Sequence, residues 1–371
     1  MSLPDIGVMY GDRARTMVKR LLYKFATEKR LQWEEAVVGI KPNLVLPSPA
    51  EEGATTDPEI IAGIIEYISE LGVKEIKILE SSWVGAETKR AFQVCGYEEL
   101  AREFGVQLVD LKEDNVLSKK YKDREYKVCS TVLDVDILVN VPVLKAHCQT
   151  KMTCALKNIK GCIPDVEKRR FHRQGLHRPI ADINQIVRSD LIVVDGLYGD
   201  LTFEEGGNPV KMARVITGVD PAVIDCYAAQ LLGLNPEEIS YIKYFTQDRT
   251  AHRKSFDFSL DGKTVFEYNA PRESFSPENK LSSLVEKIDK KHIKSKAACS
   301  ACYGNLVQAL YRLKNENSSF LPDDFVYIGQ GFSGESRNVL GVGNCTSNFS
   351  RTIPGCPPAA HKIVKYLKEK K

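Results

Sequence analysis

The sequence lacks any apolar run that could cross a membrane, because no stretch approaches the roughly 18 uninterrupted apolar residues of a spanning helix. Its start, MSLPDIGVMYGDRAR, also lacks the basic and then apolar pattern of a signal peptide. The net charge is low, since 52 Lys and Arg against 49 Asp and Glu leave +3, which is too little to attract nucleic acid over the whole surface. We therefore expect a cytoplasmic protein with neither a membrane nor a nucleic-acid partner.

Segments typical of strands and helices alternate from residue 37 onward. Residues 58–72 lie between the β-rich runs 37–45 and 75–81, and they have apolar residues at helical spacing, with a proline at the start and a glycine at the end. Further β-rich runs follow at 107–111, 136–144, 191–198 and 213–219. Near-continuous apolar strands between amphipathic helices predict a doubly wound α/β fold with a mainly parallel sheet.

The length of 371 residues favours two or three domains, and a polar, proline-containing segment at about 250–285 marks a boundary. We expect an α/β domain over 1–250, a linker or hairpin over 251–284, and a smaller cysteine-containing α/β module over 285–371. Asp261-Gly262 is a turn signal inside the linker. The module is predicted to contain a helix at about 282–294 and strands at 325–329 and 338–343.

The strongest candidate metal site is a set of four cysteines in this module, Cys299, Cys302, Cys345 and Cys356. A Cys-x-x-Cys pair at a helix start can bind one metal centre, and a later cysteine followed by proline is a recurring end to [4Fe–4S] ligation. We therefore predict one [4Fe–4S] cluster. Zinc is the alternative cofactor, although structural zinc sites usually have two Cys-x-x-Cys pairs, and unligated thiols are a further alternative.

A G-x-G-x-x-G pattern, Gly329, Gly331 and Gly334, follows one of the predicted strands of the module. In a dinucleotide-binding fold a helix of about a dozen residues separates this loop from the next strand. Here the next β-rich run already begins at residue 338. The pattern therefore predicts a loop near the cysteines and not a nucleotide site.

Basic residues and histidines follow the predicted strand 136–144, at the edge where ligand clefts form in open α/β sheets. Lysine and arginine bind carboxylate or phosphate, and histidine moves protons near neutral pH. The predicted catalytic residues are Lys145, His147, Lys157 and His172. The predicted substrate-binding residues are Lys41, Asn43, Asn158, Lys160, Asp195 and Asp220.

A structural role is the alternative for two of these segments. The run from Lys168 to Arg173 also fits a solvated helix face. Asp220 also fits the N-cap of a helix that begins at Pro221. Sequence order alone leaves open whether the acidic and basic residues meet in one site.

Several short motifs occur together between about residues 40 and 245. They are IKPNLV (40–45), TTDPEII (55–61), NVPVLKAH (140–147), ALKNIKG (155–161), IVVDG (192–196) and GVDPAVID (218–225). In combination they resemble the domain-of-unknown-function 362 family, and the C-terminal cysteines resemble the iron–sulfur segments that its members often carry. The resemblance implies an α/β domain with an iron–sulfur association and no established reaction. The repeated cysteine runs of a two-cluster ferredoxin insert are absent, which limits the expectation to one cluster.

These features predict an iron–sulfur protein, and the first hypothesis is a redox enzyme that acts on a small anionic substrate in a basic cleft. One alternative is a non-catalytic electron-transfer or scaffold protein whose basic edge docks an acidic partner. A structural zinc protein is the other. A redox partner protein is expected for either of the iron–sulfur hypotheses.

Overall fold

The chain forms a large α/β unit followed by a smaller one, and the computed structural model describes residues 4–25, 27–202, 204–206, 208–249, 256–271, 288 and 291–369. The strands are β1 (Ile6–Tyr10), β2 (Val37–Lys41), β3 (Glu75–Glu80), β4 (Gln107–Asp110), β5 (Val116–Tyr121), β6 (Arg124–Cys129), β7 (Ile137–Asn140), β8 (Lys145–His147), β9 (Lys151–Thr153), β10 (Leu191–Asp200), β11 (Pro209–Gly218), β12 (Val265–Tyr268), β13 (Ile293–Ser295), β14 (Val326–Ile328), β15 (Leu340–Val342) and β16 (Arg351–Ile353). The helices are α1 (Ala14–Lys24), α2 (Pro58–Ser69), α3 (Thr88–Val94), α4 (Tyr97–Phe104), α5 (Ala155–Asn158), α6 (Asp165–Gln174), α7 (His177–Ile186), α8 (Pro221–Leu231), α9 (Ser240–Arg249), α10 (Ser300–Glu316) and α11 (Ala360–Glu369).

The large sheet has eight strands in the order β12-β1-β11-β10-β7-β2-β3-β4. The five strands from β10 to β4 are parallel, and β11 runs antiparallel to both of its neighbours. The parallel strands place their carboxyl ends along one edge, which is where α/β folds form ligand sites. The predicted mainly parallel sheet is confirmed.

Helices cover both faces of the large sheet. On one face, Val38 and Ile40 pack with apolar residues of α1 and α2. On the other face, Leu79 and Leu138 pack with apolar residues of α7 and α8. This burial on both faces explains why the strands are apolar along their whole length, and it confirms the doubly wound class. None of the described helices is long and apolar enough to cross a membrane.

A second, four-stranded parallel sheet lies in the C-terminal part of the chain, in the order β13-β14-β15-β16. It has its own apolar core, in which Leu306 and Leu310 of α10 and Ile363 of α11 pack against Val326 and Val342. The two strands predicted in this part of the chain are present as β14 and β15, whereas β13 and β16 were not predicted. All four strands have three residues, but β14 (VYI) and β15 (LGV) are apolar, whereas β13 (IKS) and β16 (RTI) are mostly polar and give no β-rich run.

The segment predicted as a linker or hairpin contributes a strand to the large sheet. Asp261-Gly262 forms a turn as predicted, but β12 after it pairs in parallel with β1, so the described residues contain no hairpin there. Most of the helix predicted at about 282–294 lies outside the described residues. Where the two overlap, residues 288, 291 and 292 are helical as predicted, and β13 begins at Ile293.

Candidate functional site

A small, partly open cavity of about 70 Å³ lies where β2 and β3 end. Lys41 and Glu80, the last residues of these two strands, both face it, and the segment after β9 and helix α6 supply most of its other charged groups. The charged and titratable side chains of the wall, apart from a single thiol, are Lys41, Glu80, Lys157, Lys160, Lys168, His172 and Glu204. Four lysines against two glutamates make the wall basic, as the sequence predicted.

Two of the lysines are paired with glutamates inside the wall. Lys41 Nζ lies 2.7 Å from Glu80 Oε1, and both side chains are at most 3% exposed. Lys157 Nζ donates to Glu204 Oε1 and to Thr153 Oγ1, the latter at 3.1 Å. Because a buried charge is costly unless it is paired, these contacts offset the cost of burying the two lysines.

Three asparagines join the strand ends to the segment that follows β9. Asn158 Oδ1 accepts from Asn43 Nδ2 at 2.8 Å, and Asn158 Nδ2 donates to Asn140 Oδ1 at 2.8 Å. Gly161 in the same segment leaves room for Lys41, because a Cβ there would lie 2.5 Å from Lys41 Cε and would displace that side chain. The predicted binding residues Asn43 and Asn158 therefore line the cavity and also hold its shape.

Lys168 and His172 lie four residues apart on α6 and both face the cavity. Lys168 Nζ donates to the carbonyl oxygens of Ser81 at 2.8 Å and Ser82 at 2.7 Å and to the Ser81 hydroxyl. Its side chain is only 4% exposed, so the solvated-face alternative is wrong for this residue. The sequence signal that could have found it is the helical spacing of Lys168 and His172 around buried Phe171.

Lys160 and His172 face each other across the cavity wall, with Lys160 Nζ 2.9 Å from His172 Nε2. Burial, followed by the charges of Lys157 and Lys168, lowers the pKa of Lys160 to about 7. Burial and the charge of Lys160 hold the pKa of His172 well below its usual range. At neutral pH the imidazole is therefore uncharged, and a substantial fraction of the Lys160 amine is neutral.

Lys160→Met is expected to raise the free energy of unfolding by roughly 2–4 kcal/mol at pH 6, because it removes a partly buried charge that folding disfavours. The unfolded chain binds the Lys160 proton more tightly between pH 7 and 10.5, so the wild type gains stability as the pH rises through that window. The advantage of the variant should therefore shrink towards pH 10. Urea unfolding at pH 6 and pH 9.5 measures this, with the half-exposed Lys151→Met as the control. An equal effect of Lys160→Met at both pH values would contradict a neutral Lys160 at high pH.

Lys145 and His147 do not line the cavity, but both contact Glu204, which does. Lys145 Nζ donates to the carbonyl oxygens of Ala54 at 2.5 Å and Glu204 at 3.1 Å. His147 Nδ1 accepts from two backbone N–H groups, so the ring proton is on Nε2, 2.8 Å from Glu204 Oε2. Burial lowers the pKa of His147 to about 4. Both predicted catalytic residues thus position Glu204, an acidic residue of a glycine-containing loop that was not among the predicted catalytic or substrate-binding residues.

The structure does not bring Asp195 or Asp220 into the cavity. Asp195 accepts the backbone N–H groups of Asp57 at 2.9 Å and Leu197 at 3.0 Å, and burial raises its pKa to about 7. Asp220 caps α8 and lies 2.9 Å from Arg249. Because β11 is antiparallel to β10, its carboxyl end with Asp220 lies at the opposite edge of the sheet. The N-cap alternative is the correct one for Asp220.

Three of the four predicted metal ligands follow the carboxyl ends of strands in the small sheet. Cys299, Cys345 and Cys356 come after β13, β15 and β16, and Cys302 is in the first turn of α10. Burial raises the pKa of Cys302, and so do the nearby thiols of the other three cysteines. The four thiols therefore lie in one region, although the described residues contain no group of three or more His, Cys, Asp or Glu side chains spaced to hold a single metal ion.

The loops that carry these cysteines turn at glycines. Gly343, before Cys345, has φ +93°, and a Cβ on it would lie 3.9 Å from Cys302 Sγ. Gly329, the first glycine of the G-x-G-x-x-G pattern, has φ +120° and begins the turn that places Gln330 Nε2 3.4 Å from Cys299 Sγ. The loop therefore lies beside the cysteines, as the sequence predicted.

The small unit docks on the large one directly at the cavity. Cys299 and Ser300 line the same cavity as the lysines, and Ser300 Oγ donates to Gln149 Oε1 at 2.7 Å. Gln330 Nε2 also reaches across to the backbone oxygen of Arg169 at 3.2 Å. The two predicted sites, basic and cysteine-containing, therefore share one wall.

Gly85→Ala is expected to disrupt this docking. A Cβ at Gly85 would lie 2.1 Å from the backbone oxygen of Cys356, and the residue has φ +96°. We expect a loss of about 2–4 kcal/mol in the free energy of unfolding, from overpacking plus backbone strain. Gly105→Ala is the matched control, since Gly105 has φ +68° with no neighbour near its Cβ position. Equal losses in the two variants, measured by urea unfolding, would show that backbone strain alone is responsible.

Comparisons with known proteins place the large α/β unit in a family. The chain is 25% identical over 224 residues to a thylakoid-associated protein of Synechocystis sp., covering 53% of this chain and 68% of that protein. The lactate racemase apoprotein from Thermoanaerobacterium thermosaccharolyticum matches with a TM-score of 0.37 and a protein from Thermotoga maritima with 0.40, both at 14% identity. Each match covers 64% of this chain, which spans 55% and 60% of those two chains. A family model matches residues 38–230, more than half of the chain, and the protein therefore belongs to the family described as Domain of unknown function (DUF362).

Proposed function

We propose that the protein binds one [4Fe–4S] cluster through Cys299, Cys302, Cys345 and Cys356, and that it is a redox enzyme acting on a small anionic substrate in the lysine cavity. The observation that carries the proposal is that Cys299 forms part of the cavity wall. A ligand of the cluster would then touch the space in which the substrate binds.

The donor set fits an iron–sulfur cluster better than a zinc ion. Around one tetrahedral zinc ion, thiolates at about 2.3 Å lie about 3.8 Å from one another. A cubane holds one thiolate on each of its iron corners, so its ligands are farther apart. The described residues contain no group spaced to hold a single metal ion, and the lone Cys-x-x-Cys pair with a distant Cys-Pro lacks the second pair that structural zinc sites usually have. The Gln330 side-chain amide donates a hydrogen bond to Cys299 Sγ, and hydrogen bonds to ligand sulfurs tune the redox potential of such clusters.

The lysines of the wall supply the anion site. An ammonium group has three N–H donors, and Lys41 uses two of them, on Glu80 and on the backbone oxygen of Pro42. Lys157 also uses two, on Glu204 and Thr153. Each therefore has one donor left for an anionic oxygen, and both lysines are buried, where such bonds are strong. The cluster would exchange single electrons with the bound molecule, and the neutral His172 would exchange a proton with it.

A non-catalytic electron carrier is the competing function, because Cys356 is exposed and a partner protein could reach a cluster there. The two functions differ in the need for an anion site. An enzyme requires a small molecule to bind beside Cys299, whereas an electron carrier that docks an acidic partner does not.

Anaerobic purification followed by iron, sulfide and visible absorption measurements tests the cluster. We expect about four irons and four sulfides per chain. A finding of stoichiometric zinc, or of no metal after anaerobic reconstitution, would contradict the proposal of an iron–sulfur cluster.

Calorimetry with oxalate tests the anion site in the same anaerobic sample. Lys157→Met should weaken oxalate binding about 10- to 100-fold, because a charge-assisted hydrogen bond contributes about 1.5–3 kcal/mol. Lys151→Met, whose amine pairs with Glu238 on the surface, should leave the affinity unchanged. Absence of oxalate binding to the wild type, with the cluster present, would favour the electron carrier.

A further inference from the structure

Lys160 is chemically distinct from the other lysines that line the cavity. Each of the others donates to a carboxylate or to carbonyl and hydroxyl oxygens. Within the described part of the chain, the only group at hydrogen-bond distance from Lys160 Nζ is His172 Nε2, at 2.9 Å. With no carboxylate or carbonyl oxygen at hydrogen-bond distance, the ammonium form of Lys160 is held less strongly than that of the other wall lysines, so its lone pair is more available.

We infer that Lys160 is a nucleophile that forms an imine with the carbonyl carbon of a 2-oxo acid bound in the cavity. The inference rests on the proposed function, since it takes the small anionic substrate of that site and names its class. Only a neutral amine attacks a carbonyl, and desolvated lysines next to other cations are the ones that do so in proteins. Lys157 and Lys168 are the neighbouring cations here.

The step balances without any further reactant. The Lys160 nitrogen forms a bond to the carbonyl carbon, and the carbonyl oxygen takes up a proton to give a carbinolamine. The carbon–oxygen bond then breaks, the oxygen leaves as water, and the nitrogen loses its protons as the C=N bond forms. His172 Nε2, 2.9 Å from Lys160 Nζ, is placed to take a proton from the nitrogen and to return it to the leaving oxygen.

The other groups of the wall explain why the carbonyl compound would be an acid. Lys41 and Lys157 both line the cavity and each has a free donor that can bind a carboxylate oxygen. The cavity of about 70 Å³ holds roughly five water molecules, which is the size of an acid with a few carbon atoms. Val45 and Val84 give it apolar surface for a short side chain. Pyruvate and 2-oxobutyrate therefore represent the class.

Reductive trapping tests the inference on the full chain. The anaerobic protein is incubated with pyruvate or 2-oxobutyrate and sodium cyanoborohydride, which reduces an imine to a stable amine. Intact mass and peptide mapping should then find one adduct per chain, on Lys160. Lys160→Arg, which keeps the positive charge, should lower the adduct yield at least tenfold, and the surface control Lys151→Arg should not change it.

Calorimetry with the same two acids separates a failure of this inference from a failure of the proposed function. If the acids bind the wild type but leave no adduct, or if Lys160→Arg gives the wild-type yield, Lys160 is not the nucleophile and the anion site stands. If neither these acids nor oxalate bind, the anion site itself is wrong. Retained binding to Lys160→Arg together with loss of its adduct supports the inference.

Discussion

Cys302→Ala and Cys356→Ala are each expected to lower the iron content after anaerobic purification from about four atoms per chain to less than about one. A cubane with three protein thiolates has an open corner, and the exposed position of Cys356 gives solvent access to it. Iron and sulfide analysis, with the visible spectrum, measures the loss.

Cys148→Ala is the control for these variants. Cys148 is partly buried and packs against the core of the small unit, yet it is not among the four proposed ligands. It should retain the iron of the wild type. Full iron in both Cys302→Ala and Cys356→Ala, or equal loss in the control, would contradict the ligand assignment.

Glu204→Gln is expected to destabilise the protein by about 3–5 kcal/mol at neutral pH, because it leaves a buried cation without its counterion. Lys157 and Glu204 are only 5% and 6% exposed, and the same carboxylate faces His147. Urea unfolding gives the free energy. The control is Glu238→Gln, which breaks a surface pair with Lys151 and should cost less than about 1 kcal/mol.

The pH dependence of that loss identifies the ionised carboxylate as its cause. Burial alone would raise the pKa of Glu204, but His147 and Lys157 hold it well below its ordinary value of 4.5. The contribution of the carboxylate is therefore complete above pH 4.5 and falls as the pH drops towards the folded-state pKa. The difference between wild type and Glu204→Gln should be constant from pH 5 to 7 and smaller at pH 3. A difference that grows on acidification would contradict the pairing.

The order of strand and helix patterns was sufficient to predict the doubly wound sheet and the position of Lys41 at a strand end. Apolar strands and parallel crossovers are local signals, and the carboxyl ends of parallel strands meet at one edge by geometry. The prediction that Asp220 lies in the site was wrong, because the composition of a strand does not reveal the direction in which it runs. Only the pairing of β11 with β10 and β1 reveals that it is antiparallel.

The contacts between side chains inside the site could not be predicted from the sequence, because they join distant segments of the chain. Glu204 meets Lys157 across 47 positions, and Cys299 reaches the lysine cavity from the other unit. No periodic pattern records such contacts. The position of Lys168 could have been predicted, because it lies four residues before His172 and therefore on the same face of α6.

If the cysteine set and the lysine cavity form a single site, the electron paramagnetic resonance spectrum of the reduced protein should respond to oxalate. An anion beside Cys299 should change the line shape or g-values of the reduced cluster in the wild type. Lys157→Met should need a far higher oxalate concentration for the same change. An identical spectrum with and without oxalate, in a sample where calorimetry shows that oxalate is bound, would mean that the cluster and the anion site are separate.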